Sequence, residues 1–149
     1  MKLFTTVVVL GTLGALSALP TFLAKTESLS YDKVYDNPKG SLDSVACSDG
    51  PYGLTTRGYT TFGSLPSFPN IGGAFDIAGW DSPHCGSCWK LTYTSATGSK
   101  SINVTAIDVS PAGFNVAFAA MNNLTNGQAT FLGRVKVKAV EVPASSCGL

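Results

Sequence analysis

Four cysteines, Cys47, Cys85, Cys88 and Cys147, constrain this chain more than any other feature, because their chemistry depends on the compartment they reach. The N-terminus indicates which one. Met1-Lys2 is a short basic start, and Leu3 to Leu19 is uncharged and mostly apolar around Val7-Val8-Val9-Leu10. The small residues Ala15, Ser17 and Ala18 follow. This is the pattern of a secretory signal peptide over residues 1–18, with cleavage expected after Ala18 and, as second choice, after Ala24. About 20 apolar residues can also span a bilayer, but two glycines, several hydroxyls and the early Pro20 argue against an anchor. Residues 19–149 then read as one secreted domain, a length that suits a single core. In an oxidising compartment an even number of cysteines reads as two disulfides, with three pairings open. Cys85-Gly86-Ser87-Cys88 has redox spacing without a thioredoxin-like context. One CxxC with two distant cysteines also lacks the usual zinc spacing, so neither metal nor cofactor is expected.

Charge removes another class of function. Ten basic residues, Lys2 among them, face nine acidic ones, so the mature chain is neutral. A phosphate backbone demands clustered cations, which excludes nucleic acid as a partner. No later segment is long and apolar enough to span a membrane. Sixteen Gly and eight Pro mark many turns, while 44% hydrophobic residues is too many for disorder. Leu29, Tyr31 and Tyr35, two and four apart, predict a strand that runs to the turn Asp36-Asn37-Pro38-Lys39-Gly40. Leu91-Thr92-Tyr93-Thr94 predicts another, ended by the polar turn Ser95 to Ser99. Ile102, Val104 and Ala106 alternate with Ser101, Asn103 and Thr105, the pattern of a half-buried strand. Val135 and Val137 alternate with Lys136 and Lys138 before the phase shifts to Val140 and Val142, which predicts a β-bulge near Lys138-Ala139. One helix is predicted over Val116–Leu124, with Phe114, Phe118, Met121 and Leu124 as its core face and Asn126-Gly127 as its stop. Closely spaced strands with one short helix indicate a small barrel.

Chemistry is sparse. His84 is the only histidine and stands beside Cys85, so a hydrolytic triad is not expected. Asp108 is the most informative acid, because it ends the apolar run Ile102–Ile107 before Ser110-Pro111-Ala112-Gly113, at the mouth of the predicted barrel. Asp76 and Asp81 lie in the aromatic stretch Phe75-Asp76-Ile77-Ala78-Gly79-Trp80-Asp81, which suits a sugar, although Trp80 and Trp89 read equally as core. Asn103-Val104-Thr105 and Asn123-Leu124-Thr125 are glycan-acceptor sequons, one in a predicted strand and one at a helix end.

Taken together, several segments resemble the cerato-platanin family. They are Ser30-Tyr31-Asp32-Lys33-Val34-Tyr35-Asp36, Ala46-Cys47-Ser48-Asp49-Gly50, Tyr52-Gly53-Leu54 and Gly72-Gly73-Ala74. Further matches are Trp80-Asp81-Ser82-Pro83-His84-Cys85-Gly86-Ser87-Cys88-Trp89, Ala106-Ile107-Asp108, Gly113-Phe114-Asn115-Val116-Ala117 and Leu132-Gly133-Arg134. The resemblance covers about residues 30–147. It implies a mainly β fold with one or two short helices, a six-stranded double-ψ β-barrel, and the pairs Cys47–Cys85 and Cys88–Cys147. Closures of that length each stabilise by about 4 kcal/mol in the loop-entropy account.

The resemblance also implies a secreted fungal cell-wall protein that is not an enzyme. Such a protein binds chitin-type N-acetylglucosamine oligomers, loosens cellulose like an expansin, gathers at interfaces and elicits plant defence. Related catalytic barrels place a second Asp where this chain has Asn115, and an amide neither donates a carboxyl proton nor acts as a base. The expected reading is therefore glycan binding without cleavage. Asp108, Asn115 and Ser110 would bond the sugar in a shallow groove, with Asp49, Tyr52 and Asp76 as neighbours. The alternatives are a weak endoglycanase using Asp108 with another acid, and an effector recognised by a plant receptor.

Overall fold

The computed structural model describes residues 23–149, so the expected leader and its first-choice cleavage position lie outside the described residues. Six strands close into a barrel: β1 (Lys25–Asp32), β2 (Ile71–Ala74), β3 (Cys88–Ser95), β4 (Gly98–Val109), β5 (Phe114–Ala117) and β6 (Arg134–Val142). Two short helices, α1 (Phe118–Leu124) and α2 (Ala129–Leu132), fill the connection between β5 and β6. Around the barrel the order is β1-β5-β2-β4-β3-β6. Two parallel pairs, β1 with β5 and β2 with β4, interlock among antiparallel neighbours, as in a double-ψ barrel.

Closure buries one face of each strand. Leu29, Leu91, Val104, Phe114 and Val116 point inward and are almost wholly shielded from water. Phe114 meets Trp89 and Phe75 with ring centroids 5.5 and 5.6 Å apart, an edge-on aromatic cluster at the core. β2 is Ile-Gly-Gly-Ala for a steric reason. A Cβ at Gly72 would overlap the Asn115 carbonyl, and one at Gly73 the Val109 carbonyl, so only glycine lets β4 and β5 approach β2.

Residues 33–70 leave the barrel between β1 and β2 as an excursion of 3-10 turns. It has its own apolar filling in Leu42, Leu54, Phe62 and Leu65. Cys47–Cys85 fastens it, and the Cys47 amide donates to the Ile107 carbonyl of β4 at 3.0 Å. Cys88–Cys147 ties β3 to the C-terminal turn.

Three expectations change. Tyr35 lies not in β1, which stops at Asp32, but in the following 3-10 turn, where the Asp32 carboxylate accepts the Val34 amide. Val116 and Ala117 belong to β5, and the helix begins only at Phe118. Strand pairing with β1 and β2 overrides the helix propensity of that alanine-rich run. The α1 N-terminus is capped from far away, by Asp36 accepting the Phe118 and Ala119 amides at 3.0 and 2.8 Å. No bulge occurs at Lys138-Ala139, because β6 pairs without a slip with both β1 and β3 there. Ala139 simply continues the buried series of Val135 and Val137. The irregularity lies instead in β4, where Gly72 faces Ala106 and Gly73 faces Asp108, leaving Ile107 as the extra residue.

Candidate functional site

The register of three strands lines up one polar row. Ser30 of β1 stands beside Asn115 of β5 in the parallel pair and opposite Arg134 of β6 in the antiparallel one. The Ser30 hydroxyl donates to Asn115 Oδ1 at 3.1 Å, which leaves the amide Nδ2 with no acceptor among the described residues. Arg134 donates through Nη1 to Ser28 Oγ at 3.1 Å, and Ser28 in turn bonds the Ala112 carbonyl. Ser110, whose own hydroxyl reaches Ala112, closes the end. Ser30, Ser110, Asn115 and Arg134, with Tyr31, Pro111 and Ala112, line a shallow depression of about 360 Å³. Next to it in the chain, Gly113 sits at φ +61° directly against Ser28, where a Cβ would overlap the Ser28 carbonyl.

Of the expected site residues, the structure brings Ser110 and Asn115 together here and sends the others elsewhere. Asp108 does not line this depression. Its Oδ2 accepts from the Tyr35 hydroxyl at 3.0 Å, and its Oδ1 from the Ala46 and Val109 amides at 3.1 and 2.9 Å. The bulge at Ile107 turns this carboxylate toward the excursion, which it holds against the end of β4. Tyr35 feels the contact: burial first, and then the Asp108 charge, push its phenol well above the ordinary tyrosine range.

Asp49 and Tyr52 form a separate exposed patch with Trp80. The Trp80 indole donates to Asp49 at 2.6 Å and holds that carboxyl below its ordinary range. Tyr52 is 47% exposed and Trp80 63%, whereas Trp89 is core at 4%. Ser30, Arg134 and Tyr31 also line the depression, and sequence reasoning did not select them. Their signal was present in the quoted segments Ser30-Tyr31 and Gly133-Arg134, but only strand register brings 30, 115 and 134 together.

Asp76 is largely enclosed. Its Oδ2 accepts from the Ser87 hydroxyl at 3.2 Å and lies 3.6 Å from His84 Nδ1, while Oδ1 is buried without a partner among the described residues. Burial raises its pKa, more than His84 and the Ser87 bond lower it. In the window between its unfolded and folded values the folded chain keeps a proton that the unfolded chain has released. Stability contributed here is therefore lost as pH rises through that window. Asp76→Asn should flatten this part of the melting-temperature profile, measured from the ordinary aspartate range (~3.9) up to neutrality. An unchanged profile would mean that this carboxyl is well solvated.

The cerato-platanin family model matches residues 27–149. This chain belongs to the cerato-platanin family. It is 51% identical over 133 residues to the heat-stable 19 kDa antigen of Coccidioides immitis (strain RS), covering 89% of this chain and 87% of that protein. Among solved structures it is similar to cerato-platanin 1 from M. perniciosa, with TM-score 0.79 and 55% identity over 81% of this chain and 98% of that one. The solution structure described as the fungal elicitor Cerato-Platanin is 46% identical, with TM-score 0.70 over 80% of this chain and 95% of that one. Cerato-platanins are secreted fungal proteins, generally non-catalytic elicitors. No helix among the described residues of this cerato-platanin is long and apolar enough to cross a membrane.

Proposed function

We propose that this cerato-platanin binds fungal-wall glycan, chitin-type N-acetylglucosamine oligomers first, in the depression formed by Ser30, Ser110, Asn115 and Arg134, and does not cleave it. The observation that carries this reading is the chemistry of the lining. A neutral amide with a free donor, three hydroxyls and one guanidinium match sugar hydroxyls and N-acetyl carbonyls. Glycoside hydrolysis ordinarily requires a pair of carboxyl groups across the scissile bond. The lining supplies none, and the nearby Asp108 has both oxygens engaged. Loosening of cellulose, gathering at interfaces and residence in the cell wall belong to the same reading, whereas an effector recognised by a plant receptor is an alternative to it. Competition with glycan–glycan hydrogen bonds separates chains without breaking a covalent bond.

Titration with chitin oligomers, followed by backbone amide shifts, tests the site. Asn115→Ala should weaken binding about 2- to 10-fold, the worth of one or two neutral hydrogen bonds, with an unchanged melt. Unaltered affinity, or shifts confined to the Trp80 face, would move the site. New reducing ends released from chitin, cellulose or glucan would instead establish the weak endoglycanase.

A further inference from the structure

Two asparagines stand in acceptor sequons, and the fold treats them differently. Asn103 lies within β4, and its Nδ2 donates to the Ser146 carbonyl at 3.2 Å, beside buried Cys147 in the C-terminal turn. A sugar on that nitrogen would have to push the turn away from the strand. Asn123 is exposed on the last turn of α1. Lys100 Nζ lies 2.8 Å from its Oδ1 and 2.7 Å from its backbone carbonyl. An ammonium group only donates, so this contact fixes which side-chain atom is the oxygen. Nδ2 is thereby turned away from Lys100, and it meets no acceptor among the described residues. Its neighbours Lys100, Leu124 and Asn126 line an open polar cleft of about 170 Å³.

We propose that Asn123, and not Asn103, carries an N-linked glycan when the chain passes through a eukaryotic secretory pathway. The donor is a polyprenyl-diphosphate-linked oligosaccharide. A bond forms between Asn123 Nδ2 and C1 of the first N-acetylglucosamine as the C1–phosphate oxygen bond breaks. Nδ2 gives up one proton, and the polyprenyl diphosphate leaves with the bonding electrons. The folded chain then accommodates the product without losing a contact, because the remaining Oδ1–Lys100 bond holds the side chain in place.

The test is to secrete the full chain from a fungal host and map it by peptide mass spectrometry before and after amidase release of N-glycans. Asn123 should be recovered as aspartate after release and Asn103 as unmodified asparagine. N123Q should lose all carbohydrate mass and N103Q none. A chain with no carbohydrate, or with occupancy at Asn103 equal to or above that at Asn123, overturns the proposal. The wild-type map alone decides the matter should either variant fail to be secreted.

Discussion

Replacing Cys88 and Cys147 together by serine should lower the melting temperature by about 10 °C or more under non-reducing conditions. Cys88 opens β3, paired with Thr105 of β4 on one side and Val142 of β6 on the other, and the bond reaches across 59 residues to the terminal turn. Opening a loop of that length frees the unfolded chain by about 4 kcal/mol in the entropic account, within the observed cost of about 2–5 kcal/mol for small secreted domains. At roughly 2–4 °C per kcal/mol for a chain of this size the shift is large. Both sulfurs are buried, so the serine hydroxyls add a desolvation penalty. A melt within a degree or two of the parent would show that the C-terminal turn is held by other contacts.

Asp108→Ala should be the most damaging single change at the barrel mouth, and through stability more than through affinity. The substitution removes three hydrogen bonds and leaves the Tyr35 phenol and the Ala46 amide without their acceptor. Bonds to a charged group are worth about 1.5–3 kcal/mol each and are not additive when they share one acceptor. A total loss of about 3 kcal/mol is expected, lowering the melting temperature by roughly 10 °C. Tyr35→Phe should reproduce a smaller part of it, because only one of the three donors goes. The sequence alone suggested the opposite outcome, a folded chain with weakened sugar binding. Thermal melts and oligosaccharide titrations on the same sample separate the two. An unchanged melt with a tenfold affinity loss would return Asp108 to the sugar.

That reversal shows where sequence reading reaches and where it stops. Alternation of Ile102, Val104 and Ala106 with polar neighbours is a local property, and β4 follows it as far as Val104, beyond which Thr105 is buried as well. The end of the apolar run placed the strand end at Asp108, one residue short of Val109, where β4 stops. The direction of the Asp108 side chain depends on one extra residue, Ile107, and on partners 73 and 62 positions away, at Tyr35 and Ala46. Nothing in the local pattern encodes that. The valines at 140 and 142 misled in the other direction, since half-burial on the outer face of β6 resembles a change of phase. Ser30 and Arg134 escaped selection for the same reason as Asp108 was misjudged. Each is an ordinary polar residue in its own segment, and only pairing across β5, β1 and β6 makes them neighbours. The cysteine pairing likewise came from family resemblance, since spacing left three choices open.

β1 is the earliest strand among the described residues, yet its two neighbours are β5 and β6, formed from residues 114–142. During synthesis its edges therefore stay unsatisfied until nearly the whole polypeptide has been made and exported. Such dependence on distant pairings slows folding and favours all-or-none assembly over a stepwise build-up from the N-terminus. A nascent chain that ends before β6 presents open strand edges, the ready template for aggregation and for capture by quality control. Truncation from the C-terminus is thus expected to abolish secretion of the whole domain.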